Sequence, residues 1–357
     1  MKAAILHEPG RPFVIEDVDL SNPAPNEVRV RLAASGLCHS DYHYATGDLT
    51  CPVPALLGHE TSGVVEAVGE NVRHVKPGDR VVASQPYCGR CGECETGHTH
   101  RCDDVPTRVG PPRVTLRGQP VYQFVNIGGF AESVLVDGSG VAKVPEGMPL
   151  DLAALLGCAV ITGVGAVLNT AKVRPGQSVA VIGCGGVGLN VIQGARLAGA
   201  GRIVAVDINP AKLELARRFG ATDLIRGGED AVEAVVEATK GGVDYAFEVI
   251  GLTGTMRQAF LMLRKGGAAV LIGVPKAGAE LSVPLRPAIM KELRVLSSLM
   301  GSAPVQSTIA ALSRFYLDGA LKLEPLVSQR IALADINHGY DQLAVGEVAR
   351  CLITFDA

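Results

Sequence analysis

The chain has 357 residues, 47% apolar and 19% charged, and its 33 Lys and Arg against 36 Asp and Glu leave a formal net charge of −3. That balance excludes a disordered chain and the massed basic face that a nucleic-acid partner requires, and the length exceeds what one hydrophobic core usually serves, so two domains are expected. The opening "MKAAILHEPGRPFVIED" breaks at Glu8, Pro9 and Gly10, and no later apolar run reaches membrane-spanning length, so the expectation is a soluble, cytoplasmic protein without a membrane partner.

The first half reads as strands. "EVRVRLA" alternates Val28, Val30 and Leu32 with charged residues, and "TSGVVEAVG" and "DRVVAS" are short runs between Gly and Pro turns. Such a pattern predicts an antiparallel, barrel-like domain. Among these runs stand Cys38 in "GLCHSDYH" and His59 in "GHETSGVV", each weak as a ligand signal by itself.

Four cysteines then crowd into "CGRCGECETGHTHRC". Cys88, Cys91, Cys94 and Cys102 stand at C-x2-C-x2-C-x7-C, a spacing that lets thiolates converge on one tetrahedral Zn²⁺, and four thiolates leave no open position, so the ion would be structural. Gly89, Gly92 and Gly97 supply the tight turns, and an iron–sulfur cluster fits less well because the flanks match neither ferredoxin spacing. Residues 103–129, rich in Gly and Pro, exceed usual loop length and are expected to wall a substrate pocket or meet another subunit. Cys158 follows in "LLGCAVITG". With Cys38 and His59 it would make a set of two thiolates and one imidazole, which balances Zn²⁺ and keeps a fourth position exchangeable, as catalysis requires.

From about Ser178 the rhythm changes. "SVAVIG", "RIVAVD", "DYAFEVIG" and "AAVLIG" alternate with helical stretches such as "PAKLELARRFGA" and "TMRQAFLMLRKGG", which predicts a doubly wound parallel sheet. Gly183, Gly185 and Gly188 form G-x-G-x-x-G between strand and helix, with Gly186 among the expected cofactor contacts. Asp207 closes the next strand nineteen residues after Gly188, where a carboxylate accepts ribose hydroxyls and repels a 2′-phosphate. NAD is therefore expected over NADP; the competing role for Asp207 is a helix N-cap. "VQSTIAALSRFYLDGAL" and "RCLITF" read as a closing helix and strand that pack on the first domain.

Taken together, "GLCHSDYH", "GHETSGVVEAVGENV", the four-cysteine lobe and "VIGCGGVGL" resemble the zinc-dependent medium-chain alcohol dehydrogenases across essentially the whole chain. The resemblance implies an α/β chain: a barrel-like, mainly β catalytic domain over 1–160 and 300–357, with its zinc lobe at 86–104, and a Rossmann domain over 161–299. It implies two Zn per chain, the catalytic one on Cys38, His59 and Cys158, and a reversible hydride transfer between an alcohol and NAD that yields an aldehyde or ketone. Ser40 and His43 match the family's proton relay. Asp41 would fix the His59 tautomer, its competing role being an N-cap, and Glu60 stands beside the metal. Lys212 would touch the adenosine ribose, Val187 and Thr162 the nicotinamide, and His39 and Arg350 the pyrophosphate. Ser84, Phe124, Leu49, Val274 and Leu299 match pocket-wall positions; Ser84 is small where relatives carry an aromatic, so medium-length or aromatic alcohols are expected. The family forms dimers or tetramers, and a homodimer paired through "ELRVLSSLM" is expected here, with a homotetramer possible. The competing functions are a polyol or amino-alcohol dehydrogenase of the same superfamily and a non-catalytic NAD-binding sensor.

Overall fold

The computed structural model describes residues 1–105, 111–345 and 349–355. It divides into two compact units, Met1–Cys158 with Pro304–Ala357, and Ala159–Ala303.

The first unit is built on one long strand. Glu27–Gly36 places Val28, Val30 and Leu32 in the core at 0–1% exposure, as its alternation predicts. It pairs antiparallel with Glu60–Val68, Ser133–Asp137 and Arg350–Thr354, within a sheet whose order runs Val141–Lys143, Arg80–Ala83, Glu60–Val68, Glu27–Gly36, Arg350–Thr354, Val327–Ile331. A second, four-stranded sheet carries Lys2–Leu6 at its centre. Between these elements Phe13 stacks on Tyr340 at 5.5 Å while Phe130 meets both rings edge-on at 6.0 and 6.1 Å, and the three anchor an apolar cluster. The strand also carries a buried charge: Glu27, 3% exposed, accepts from the Arg113 guanidinium at 2.7 Å, across 86 residues of chain.

The segment 103–129 differs from the long loop expected of it. Residues 106–110 lie outside the described ones, but Val114–Leu116 and Gln119–Pro120 form a hairpin, and Tyr122–Gln123 adds an edge strand to the four-stranded sheet. The two-residue turn is Arg117–Gly118, both at positive φ (50° and 79°). Left-handed backbone at both positions suits hairpin twist, but Arg in the first is an unusual choice, which hid the hairpin.

The second unit is a six-stranded, all-parallel sheet in the order Asp223–Arg226, Arg202–Asp207, Ser178–Ile182, Val243–Glu248, Leu263–Leu271, Arg294–Ser297. The doubly wound expectation holds. One boundary moves: the helix predicted through "TMRQAFLMLRKGG" stops at Leu261, and "LRKGG" already belongs to the next strand, bent by a register shift opposite Val243/Tyr245. Gly266 at φ 75° lets that strand turn where a helix would fail. Arg294–Ser297 is the edge strand; beside it Leu285, Ile289 and Met290 are 69–73% exposed and Val295 44%. Among the described residues no single helix is long and apolar enough to cross a membrane.

Close helix packing depends on a missing side chain. An added Cβ at Gly163, on the Ala159–Gly165 helix, would lie 2.6 Å from both Asn190 Cβ and the Val187 carbonyl of the Gly186–Leu197 helix. Neither atom can swing aside. Gly163→Ala is expected to destabilise the chain by about 1–3 kcal/mol through overpacking, seen as a lower denaturant midpoint; an unchanged midpoint would show that the helices separate freely.

Candidate functional site

Strand register brings the first two candidate ligands together. Gly36 pairs with Glu60, so Cys38, two residues beyond one strand, and His59, one residue before the other, leave the sheet at the same end. Cys38 then caps the His39–Thr46 helix, which carries Ser40, Asp41 and His43. Cys158 arrives from the Ala154–Gly157 turn, pinned because the Ser84 hydroxyl donates to the Gly157 carbonyl at 2.9 Å. Ser84 is 1% exposed, and its hydroxyl holds the Cys158 turn.

One ligand atom from each of Cys38, His59, Glu60 and Cys158 lies within 4.8 Å of the others. Asp41, with no exposed surface, accepts from the Gly58 N–H at 2.8 Å and faces His59 Nδ1 at 3.0–3.1 Å. The N-cap role falls to Cys38, and Asp41 instead orients the imidazole so that Nε2 is the nitrogen left for a metal. The electrostatics match: burial opposes protonation of His59, but the Asp41 and Cys38 charges raise it well above the usual histidine range. The Cys38 thiol is pulled well below its ordinary value, first by its bond with Cys158 and against its own burial, while Cys158 is raised by that same bond and by burial. Glu60 is pushed up to about 7 by burial, against the pull of Arg350, and neither of its oxygens has a hydrogen-bond partner. Two sulfurs and one oriented imidazole fit three corners of a tetrahedral Zn²⁺ and keep a fourth for an exchangeable ligand, with the Glu60 carboxylate, which Arg350 faces, beside them.

The surroundings are mixed. Phe124 stands edge-on to His59 at 5.4 Å, and Ser40 Oγ lies 3.7 Å from the Cys38 sulfur. His43 Nδ1 meets Asp48 at 3.2 Å, and Leu49 bonds back to the His43 carbonyl at 3.0 Å. Arg350 is 3% exposed, lies 3.4 Å from Glu60, and donates to the Leu37 carbonyl at 3.3 Å. It is the first residue of a strand flanking Glu27–Gly36, which sets it beside the Glu60 carboxylate. His39 is exposed and stands edge-on to Tyr42 at 6.4 Å.

In the lobe, one sulfur from each of Cys88, Cys91, Cys94 and Cys102 lies within 4.8 Å of the rest. Backbone N–H groups point at sulfur: Cys91 to Cys88 at 3.3 Å, Arg90 to Cys88 at 3.4 Å, and Cys88 to Cys102 at 3.2 Å. The Asp103 and Cys94 N–H groups bring Cys91 down to about 6. Gly89 and Gly97 take positive φ (73° and 84°), whereas Gly92 starts a short helix. A closed set of four thiolates suits structural zinc.

The second unit supplies a cradle for a phosphate. Gly183 turns at φ 97°, and an added Cβ at Gly185 would meet nothing within 4 Å, so that side of the loop is open. At Gly188 a Cβ would strike the Gly183 carbonyl, which ties helix to strand. The twelve-residue helix from Gly186 to Leu197 directs its first N–H groups there, with Val187 half-buried in its first turn. Asp207 Oδ2 accepts from the Cys184 N–H at 2.7 Å and Oδ1 from the Asn209 N–H at 2.9 Å, while Asn209 caps the next helix. The carboxylate is therefore held in place at the strand end. Lys212 lies in that helix's first turn, and Thr162 is half-buried on the Ala159–Gly165 helix. Val274 and Leu299 are 58% and 56% exposed. Sequence reasoning missed Glu248, fully buried at the end of Val243–Glu248, which accepts from the Ile250 and Gly251 N–H groups and Thr255 and so fixes the next loop. A lone Glu in the apolar run "DYAFEVIG" was its only signal.

Residues 24–146 match the family model described as Alcohol dehydrogenase GroES-like domain, and 186–317 the one described as Zinc-binding dehydrogenase. The chain is 39% identical to an alcohol dehydrogenase class-3 of Pisum sativum, over 99% of this chain and 97% of that protein. Among solved structures it is similar to an alcohol dehydrogenase zinc-binding domain protein of Burkholderia ambifaria (TM-score 0.96, 35% identity, covering 100% and 99% of the two chains). It is also similar to the benzyl alcohol dehydrogenase of Acinetobacter calcoaceticus (TM-score 0.93, 32% identity, 99% of each chain).

Asp41→Asn keeps the shape but loses the charge that orients and enriches His59. Competition with a chromophoric chelator is expected to show metal held about 10–100-fold more weakly at this pocket, and unchanged retention would refute the orienting role.

Proposed function

The chain belongs to the zinc-dependent medium-chain alcohol dehydrogenases and is an alcohol dehydrogenase, and from that premise we propose that it oxidises medium-length or aromatic alcohols with NAD, on zinc held by Cys38, His59 and Cys158. The observation that carries this reading is the approach of Cys38, His59, Glu60 and Cys158 within 4.8 Å, around an imidazole whose other nitrogen faces the buried Asp41. A second zinc would sit on Cys88, Cys91, Cys94 and Cys102 and stiffen a lobe in which only Pro86 and His100 are buried.

Zinc held there would supply Lewis acidity, lowering the pKa of an alcohol hydroxyl and, in reverse, polarising a carbonyl, while nicotinamide would accept the hydride. The chain's own residues do the rest. Asp41 holds His59 in the ligating tautomer. Ser40 would accept the alcohol's proton while giving up its own hydroxyl proton, and His43 would take that proton on its other ring nitrogen and release one from Nδ1 on the side of Asp48, toward solvent. Phe124, 7% exposed and against His59, gives the zinc site an apolar wall that favours a hydrocarbon substituent over water. The similarity to a benzyl alcohol dehydrogenase supports the same preference. In the second unit the Gly183–Gly188 loop and Asp207 would hold the pyrophosphate and adenosine ribose.

The edge strand Arg294–Ser297 supports a homodimer: among the described residues its outer ladder edge has no partner, and Leu285, Ile289, Met290 and Val295 are exposed apolar residues. An isologous contact would extend the sheet across two copies.

Metal analysis is expected to give two zincs per chain, falling to one in Cys158→Ser with alcohol-dependent NADH formation below about 1% of wild type. Metal content unchanged by the substitution would overturn the ligand assignment. In a steady-state panel kcat/KM for hexanol and benzyl alcohol should exceed that for ethanol, and the reverse order would remove the pocket argument. Val295→Lys should shift the mass seen by light scattering from dimer to monomer; an unaltered mass would place the contact elsewhere.

A further inference from the structure

The adenosine end of the nucleotide cradle is more cationic than the stretch after Asp207, "DINPAKLE", suggests. Asp207 and Arg226 close adjacent parallel strands and are register partners, so their side chains leave the same face of the sheet at its carboxyl end. The contact continues beyond the ladder. Gly227 donates to the Asp207 carbonyl at 2.9 Å, and an added Cβ there would sit 3.1 Å from Ile208 Cγ2. Both Asp207 oxygens already accept backbone N–H groups, from Cys184 and Asn209, which share out their charge. Arg226 is exposed, and neither it nor Lys212 makes an ion pair or hydrogen bond among the described residues. One carboxylate with engaged oxygens thus stands in register beside an exposed arginine and ahead of a lysine in the next helix's first turn.

We propose that Arg226, with Lys212, receives a phosphate on the 2′-oxygen of the adenosine ribose, so that the chain takes NADP as a second coenzyme beside NAD. This rests on the dinucleotide reading of the Gly183 loop. Neighbouring strands lie about 4.8 Å apart, and an arginine side chain spans that distance with length to spare, so a ribose held at Asp207 is within its reach. The guanidinium fork pairs two phosphate oxygens at once, and Lys212 adds a point charge. Asp207 alone would make the site exclusive for NAD. Arg226 makes it tolerant, and because it lies on the next strand, nineteen residues later, the tolerance is invisible in the sequence around Asp207.

Isothermal titration of the full chain with 5′-AMP and with adenosine 2′,5′-bisphosphate isolates the 2′-phosphate and requires neither nicotinamide nor metal. For the unaltered chain the bisphosphate is expected to bind within about a hundredfold of 5′-AMP. Arg226→Gln should weaken the bisphosphate by at least about tenfold while moving 5′-AMP less than about twofold, and Arg226→Lys should recover most of the loss. Binding of the bisphosphate more than about a hundredfold weaker than 5′-AMP, or a loss in Arg226→Gln that is smaller or shared by both ligands, overturns the proposal. A chain that binds neither nucleotide overturns the dinucleotide reading itself, and this inference with it.

Discussion

The registration of Glu27–Gly36 against Glu60–Val68 is the constraint from which the metal pocket follows. With Gly36 opposite Glu60, the chain must turn at one end of the strand pair, and Cys38, Asp41 and His59 emerge there together. A slip of one residue would invert every side chain on the strand, exposing Val28, Val30 and Leu32 and burying the arginines between them. The apolar alternation that fixes the core therefore also fixes the pocket, so fold stability and ligand geometry are not separable properties in this unit. Glu60 and Arg350 reinforce the arrangement, two buried charges facing each other from strands on either side of Glu27–Gly36.

Much of this was legible because it is local. Four cysteines within fifteen residues, or three glycines within six, need only a turn to converge, and a turn is written in adjacent residues. The alternation of "EVRVRLA" and the apolar runs of the second half likewise declare strands by their own period. Cys158 was different. Its neighbours are apolar, and the turn that brings it to Cys38 is held in part by Ser84, over seventy residues earlier, which donates to the carbonyl of Gly157.

What stayed hidden depends on pairings made in three dimensions. Arg350 looks like any basic residue at a strand start until its neighbour is seen to be the buried Glu60. Arg226 is unremarked in "DLIRGG" until parallel pairing sets it beside Asp207. The Arg117–Gly118 hairpin was lost for another reason, since a non-glycine residue at positive φ is a cost that the paired strands repay and the local sequence does not announce. In each case a tertiary contact gives the residue a role that its own composition leaves open.

The ion pair between Glu27 and Arg113 bears on how this chain can change over time. Both partners are buried, so losing either leaves an unmatched charge in the core, a penalty of about 3–5 kcal/mol, whereas a matched apolar pair of similar volume could cost nothing. Single-step drift at either position is thus closed while simultaneous replacement stays open. Their coupling across 86 residues is the kind that surfaces as correlated substitution in a lineage long after any functional reason for it has gone.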